Sequence, residues 1–188
     1  GNGVKLAGAR EDLVRFAEAN RIPVLLTWKT IDFLGHDHPL NFGSPGIMGC
    51  RTANFMVQNC DLLLVIGSRL EPSITAFNHA GFGANARKVM VDIDEAEIPK
   101  IAHIDVPVVA DAGDFIRALS GLQQELPQKD RTKWLDYCRG LKQRYPVVLE
   151  EYFKSSDKVT CTCSPTCCSG SSPPTTLSPR KAPARPAK

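Results

Sequence analysis

Gly43-Ser44-Pro45-Gly46-Ile47-Met48-Gly49-Cys50-Arg51-Thr52-Ala53-Asn54, followed after a short interval by Asn59-Cys60-Asp61-Leu62-Leu63-Leu64-Val65-Ile66-Gly67-Ser68-Arg69, decides the reading of the fold. The parts come in a telling order: a glycine loop, a helical interval, an Asp-led apolar strand, and a second glycine turn at the strand's carboxyl end. α/β nucleotide folds use this order to bring backbone amides to a ligand. Asp61 to Ile66 is one continuous apolar run, the pattern of a central strand covered by helices on both faces. The passage predicts one layer of a doubly wound parallel sheet.

Toward the amino terminus, Glu11 to Asn20 carries Leu13, Phe16 and Ala17 at the spacing of one apolar helical stripe. Pro23 then introduces a strand, Val24 to Thr27. Thr30 to Gly46 is rich in Gly, Pro, His and Asp and lacks a period, which predicts a long loop at the ligand end of the sheet. Pro45 predicts the start of a helix running to about Asn59, with Ala53, Met56, Val57 and Cys60 turned inward. Toward the carboxyl terminus, Glu71 to Ala86 reads as loop or short helix and Lys88 to Asp94 as a strand. Glu95 to Ile101 reads as a short helix interrupted by Pro99, and Val106 to Ala110 as a further strand. A helix is predicted from Asp111 or Gly113 through Leu126, burying Phe115, Ile116, Leu119 and Leu122, with Pro127 as its stop. Asp130 caps a last helix whose stripe is Trp134, Leu135, Cys138 and Leu141, broken near Pro146 and resuming to Phe153.

The apolar fraction of 43% in 188 residues supports one domain with a substantial core plus an appendage. No apolar run approaches the roughly 18 residues that span a bilayer, and the first residues lack a secretory pattern, so a cytoplasmic protein is expected. The formal net charge of +3 falls to about −1 once Arg180, Lys181, Arg185 and Lys188 are set aside. The body carries no basic stripe interleaved with aromatics, which argues against nucleic-acid binding. From about Thr160 the chain turns to Ser, Thr, Pro, Cys and basic residues, too poor in large apolar groups to offset about 1–2 kcal/mol per residue of backbone ordering. Residues 160–188 are therefore expected to be disordered and foreign to the body, the product of a shifted frame, a misjoined exon or a truncated gene model. Of the seven cysteines, Cys50, Cys60 and Cys138 read as small buried hydrophobes. Cys161, Cys163, Cys167 and Cys168 crowd the tail, where adventitious thiols are favoured over a metal site.

The glycine loop ending in Ala53-Asn54, the Cys60 to Arg69 strand and turn, Val91-Asp92-Ile93-Asp94, and Val108 to Asp111 together carry a family resemblance. The run from Gly1 to about Val159 resembles the central domain of thiamine-diphosphate-dependent enzymes of the acetolactate synthase large-subunit type. The resemblance implies a Rossmann-like (DHS-like NAD/FAD-binding) parallel sheet with helices on both faces. Gly1-Asn2-Gly3 resembles the glycine turn that follows the family's first strand, so that strand is expected to be missing, leaving an open slot with ladder groups unpaired on both sides.

At the strand ends, Gly67 and Arg69 offer a close backbone approach and a guanidinium for a phosphate, and Arg69 serves equally well in a domain-interface ion pair. Asp92, Asp94 and Asp111 suit either ribose hydroxyls or helix caps, with capping favoured for Asp94 before Glu95-Ala96-Glu97. Gly1-x-Gly3 is a weak nucleotide signal alone, because Leu6 holds the place of a third glycine. In the flavin-containing branch of the family, residues at these positions contact FAD, which nominates Gly1, Gly3, Gly67, Arg69, Asp92, Asp94 and Asp111. Ile47-Met48-Gly49 and Leu70-Glu71-Pro72 depart from that branch and put FAD in doubt. His36 and His38 flank Asp37, and they read as solvated loop histidines rather than metal ligands.

The resemblance places the chemistry elsewhere. In such enzymes a first-domain glutamate activates thiamine diphosphate toward a 2-keto acid, and a third-domain Gly-Asp-Gly with a later Asn holds magnesium. Here Gly113-Asp114 is followed by Phe115 and no Asn occurs after Asn85. The expectation is a middle domain, inert alone, whose parent uses thiamine diphosphate and Mg2+, forms a homo-oligomer with catalytic domains on both sides, and takes loop residues 35–50 into its active-site wall. The alternatives are a stand-alone FAD/ADP-type binding module and a non-catalytic interaction protein working through its Cys-rich tail.

Overall fold

The computed structural model describes residues 1–125 and 129–149. The chain divides into two compact units, Gly1–Pro146 and Val147–Lys188, and the fold that follows is that of the first. The tail 160–188, its cysteines, the return of the last helix to Phe153, and Leu126 and Pro127 lie outside the described residues.

Three strands, β1 (Leu62–Ile66), β2 (Arg87–Asp92) and β3 (Val106–Val109), form a parallel sheet in that order. Leu64 is level with Val89, and Val89 with Val106. Helices cover both faces, so the doubly wound α/β expectation holds. On one face, Val4 of α1 (Asn2–Leu6), Leu13 and Val14 of α2 (Arg10–Asn20) and Ile116 of α5 (Ala112–Gly121) pack on Leu64, Ile66, Val89 and Val91. On the other, Val57 of α3 (Arg51–Asn59), Ile74 of α4 (Pro72–Thr75) and Ile98 of the 3-10 turn Glu95–Lys100 pack on Leu63, Val65 and Met90. Met90 and Val91 are fully buried at the centre, where each such side chain stabilises the fold by about 1.5–3 kcal/mol. A third cluster joins α6 (Thr132–Arg144) through Leu135 and Cys138 to Met56, Ala17, Leu40 and Phe42. Asp130 does not occupy the cap of α6, which is Arg131; its carboxylate accepts the Thr132 N–H at 2.9 Å from one residue earlier.

The structure corrects several boundaries. Val24 to Thr27 is not a full strand, and Thr30 to Gly46 is not one long loop. Residues 28–30 form a 3-10 turn, and the extended segment 24–26 pairs in parallel with 41–43 through Val24 N to Leu40 O, Phe42 N to Val24 O and Leu26 N to Gly43 O. Turn-forming residues around the short Leu40-Asn41-Phe42 stretch hid this partner, because its pairing is specified by distant residues and not by local period. α3 starts at Arg51 and not near Pro45. The reason is a side-chain clamp: Asn54 Oδ1 accepts the Gly46 N–H at 2.7 Å while its Nδ2 donates to Gly46 O at 3.0 Å, folding 44–50 back on the helix. α5 ends at Gly121, leaving Leu122 exposed. β1 is less buried than its composition predicts, with Leu62 55% exposed and Leu63 and Leu64 only half-buried.

The segment 24–26 shares both faces with β1. Leu26 and Val24 belong to the cluster holding Leu64 and Ile66, and Leu25 to the cluster holding Leu63 and Val65. Alternate side chains of a strand point to opposite faces, so this division places 24–26 in the same layer as β1.

Candidate functional site

The strand order reverses between 24–26 and β1. From 24–26 the chain steps outward to 41–43, then returns through α3 to β1 and proceeds the other way through β2 and β3. Ligands of open α/β sheets sit at such a reversal, outside the carboxyl ends of the strands. A cleft of about 750 Å3 opens there, of the size that holds a small-molecule cofactor.

Five of the seven nominated residues line it: Gly3, Gly67, Arg69, Asp92 and Asp111. Gly1 and Asp94 stand beside it. Gly1 N donates to Ile66 O at 2.7 Å and Gly3 N to Gly67 O at 2.8 Å, which seats the first turn on the end of β1. Asp92 is buried, and its Oδ1 accepts the Asp94 N–H at 3.0 Å. Asp94 in turn caps the 3-10 turn through the Ala96 N–H at 3.0 Å, the capping role favoured by its sequence. Asp111 caps α5 with Oδ1, which accepts from Gly113 N at 2.8 Å and Asp114 N at 3.2 Å. Arg69 is 60% exposed and makes only long ion pairs, 3.7 Å to Glu97 and 4.0 Å to Asp94, while Glu97 is held closely by Lys100 at 2.7 Å. A guanidinium so loosely held is free to turn toward an anion, and exposed pairs at these distances are worth under about 1 kcal/mol.

Sequence reasoning missed the opposite wall. Trp28 and Lys29 sit on the 3-10 turn after 24–26, a turn fixed by reciprocal Thr27 and Thr30 hydrogen bonds at 3.1–3.2 Å. Leu6, Trp28, Met48 and Ile93, each at least 60% exposed, stand round the rim. The Thr-x-x-Thr capping spacing was visible in the sequence. What faces the turn was not, because that depends on where β1 lies. A cleft with Asp92 on its floor, a mobile cation at one side and large apolar groups at its rim suits a ligand with a hydroxylated polar part and a flat apolar part.

The histidines serve the loop. His38 accepts the Leu40 N–H on Nδ1 at 3.2 Å and meets Glu18 through Nε2 at 3.1 Å, while His36 is exposed. Among the described residues, no three His, Cys, Asp or Glu side chains gather as a metal-binding group. Cys138, on the inward face of α6, is fully buried, and desolvation pushes its thiol up to about 12; Cys60 is raised by burial to about 11. Only thiolates alkylate, so native Cys138 is expected to resist iodoacetamide at pH 8 and to label once urea unfolds the chain. Rapid native labelling, read by peptide mass, would contradict the packing of α6.

Residues 1–119 match the family model described as thiamine pyrophosphate enzyme, central domain. The acetolactate synthase large subunit of Corynebacterium glutamicum is 37% identical over 153 residues, covering 80% of this chain and 24% of that protein. The probable acetolactate synthase large subunit of Methanocaldococcus jannaschii is 38% identical over 142 residues, 76% of this chain and 24% of that protein. Acetolactate synthase isozyme 2 large subunit of Escherichia coli is 34% identical over 145 residues, 77% and 25% respectively. The chain thus spans about a quarter of the length of the curated relatives it matches.

Proposed function

The chain belongs to the central-domain family of thiamine pyrophosphate enzymes, and from that membership we infer that it is the spacer and binding layer of an acetolactate-synthase-like carboligase or decarboxylase of 2-keto acids. The observation that carries this reading is that the matched residues 1–119 run from the Gly1–Gly3 turn through β1, β2 and β3 into α5, within the one compact unit Gly1–Pro146. In the longer enzyme, a cytoplasmic homo-oligomer, thiamine diphosphate and Mg2+ would be held by flanking catalytic domains. This layer fixes the distance between those domains, and Met48 of the 35–50 loop reaches the cleft. The domain runs to about residue 159, with 160–188 as an appendage.

The test has two arms. The 188-residue chain supplied with pyruvate, thiamine diphosphate and Mg2+ should form no acetolactate. A chimaera in which residues 1–149 replace the matching central segment of the Corynebacterium glutamicum large subunit should retain acetolactate formation. Turnover by the chain unaided, or a folded chimaera without activity, would overturn the reading.

The cleft favours a second role, a nucleotide of the ADP or FAD kind, with Asp92 accepting from ribose hydroxyls and Arg69 pairing with phosphate. Gly1, Gly3 and Gly67 shape the turn beneath it, and Asp94 and Asp111 preset the adjoining caps. The departures at Ile47-Met48-Gly49 and Leu70-Glu71-Pro72 weigh against the flavin member of that pair. Ligand at 100 times its dissociation constant adds about 2.7 kcal/mol, readable as a rise in melting temperature. Asp92→Asn is expected to weaken ADP binding about tenfold, since a charged acceptor is roughly twice as strong as a neutral one. Equal shifts with and without the substitution would remove Asp92 from the role.

A further inference from the structure

Residues 70–79 carry a concentration of unrelieved cost. Of the five non-glycine residues with left-handed backbone among the described residues, three, Leu70, Ala76 and Phe77, lie in this stretch. α4 ends where glycine is favoured, yet Ala76 at φ +55 and Phe77 at φ +58 take left-handed positions in succession. Phe77 gains no burial in return, being 76% exposed. The buried side-chain atoms that lack a hydrogen-bond partner among the described residues, Thr75 Oγ1 and His79 Nδ1, belong to the same stretch. Native chains rarely leave such atoms unmet, and backbone strain persists only where its surroundings hold it. What holds it here is the glycine loop. Ile47 N donates to Ser73 O at 2.9 Å, and Gly46, at φ +117, has no room for a side chain against Ser73 and Ile74. The Asn54 clamp pins that loop in turn, and Leu70 and Ile74 are buried in the second core cluster. Together the two segments give the cleft one wall, through Met48, Glu71, Ser73 and Ile74.

We propose that residues 70–79 are a sprung gate of the cleft, latched by residues 44–50. In the closed arrangement Met48, Glu71, Ser73 and Ile74 stand in place and the wall is complete. In the open one the Ile47 N to Ser73 O bond is broken, Ala76 and Phe77 leave the left-handed region, and Thr75 Oγ1 and His79 Nδ1 reach water. Strain and unmet polar atoms drive opening. The latch and the burial of Leu70 and Ile74 oppose it, so the open arrangement is a measurable minority of the folded ensemble. Ala76 and Phe77 each weight the balance toward opening about fivefold, the cost of an L residue in a position that suits glycine. The moving stretch is bounded by Leu70, left-handed at φ +48, and by Gly81, whose N–H is taken by the Asn78 side chain at 2.8 Å. Such element-terminal positions absorb the backbone rotation of a hinge. The gate holds whether the cleft takes a nucleotide or another small molecule: opening admits it, and contact with Ser73 or Ile74 then selects the closed arrangement.

Amide exchange of the 188-residue chain, followed by NMR and corrected for intrinsic rates, tests it. The readouts are Ile47, bonded to Ser73 O, and Asn78, bonded to Thr75 O at 3.0 Å, with Met90 as the reference for global unfolding. In the unaltered chain Ile47 and Asn78 should open to the same extent, well before Met90. Ala76→Gly combined with Phe77→Gly removes the spring and should slow both at least about fivefold. Asn54→Ala removes the two hydrogen bonds of the latch and should speed both at least about tenfold, with Met90 less affected. If that variant fails to fold, Asn54→Asp, which keeps the acceptor for Gly46 N and loses the donor to Gly46 O, should act in the same direction. Unequal opening of Ile47 and Asn78 in the unaltered chain overturns the proposal. So does a glycine pair that exchanges as fast as the parent, or a latch variant that speeds Asn78 no more than it speeds Met90.

Discussion

Gly67→Ala is expected to lower stability by about 2–4 kcal/mol, an effect out of proportion to one methyl group. Gly67 ends β1 at φ +54, where an L side chain costs about 1 kcal/mol. The added Cβ would stand 2.7 Å from Gly3 Cα and 2.9 Å from Val4 N. Both are backbone atoms, so nothing can swing aside, and the turn must lift off β1. Lifting it breaks the Gly3 N to Gly67 O bond, worth about 1 kcal/mol, and loosens Val4 from the first core cluster. Gly8→Ala provides the control, because Gly8 has a similar φ of +63 with no heavy atom within 4 Å of a new Cβ. It should cost only the backbone term, about 1 kcal/mol. Urea denaturation followed by circular dichroism separates the two. Equal losses would mean that the Gly1–Gly3 turn does not rest on β1, and the floor of the cleft would have to be redrawn.

Met90→Ala should be the costliest core truncation, about 2–5 kcal/mol. Met90 is fully buried on the central strand, between Val65 of β1 and the 3-10 turn carrying Ile98. β2 is paired on both edges, so the sheet cannot shift to fill the cavity as an edge strand could. The denaturation midpoint should fall with the urea slope unchanged, the sign of lost stability without a change in the unfolded state. Val109→Ala, on the outer strand and 55% exposed, should stay within about 0.5 kcal/mol. If both substitutions cost the same, β2 is not the centre of this fold.

The site was partly legible from residue type. Asp at the end of an apolar run, and glycine after one, flag a strand terminus wherever it lies, and Gly67, Asp92 and Asp111 carry that signal; Gly3 and Arg69 join them through the family resemblance, and all five line one cleft. Their roles were less legible, because one carboxylate can cap a helix or face a ligand with the same neighbours in sequence. Hydrogen-bond geometry separates them: Asp94 and Asp111 spend an oxygen on helical N–H groups, while Asp92 is buried at the cleft with a single main-chain donor. Trp28 went unnoticed because an aromatic after a strand is usually core.

By itself the sequence determined the rhythm of the chain: strands read at Asp61–Ile66 and Lys88–Asp94, helical stripes in α2, α5 and α6, and the class of sheet these build. Such features depend on residues within a turn or two of one another, and period and punctuation record them directly. Only the tertiary structure decided that 24–26 pairs with 41–43 and stands apart from β1, that Asn54 ends the glycine loop by clamping Gly46, and that Trp28 and Asp92 face one cleft. Those outcomes turn on which distant main-chain groups find each other. Every β-strand offers the same donors and acceptors to a partner, so the choice is made by packing across the layer.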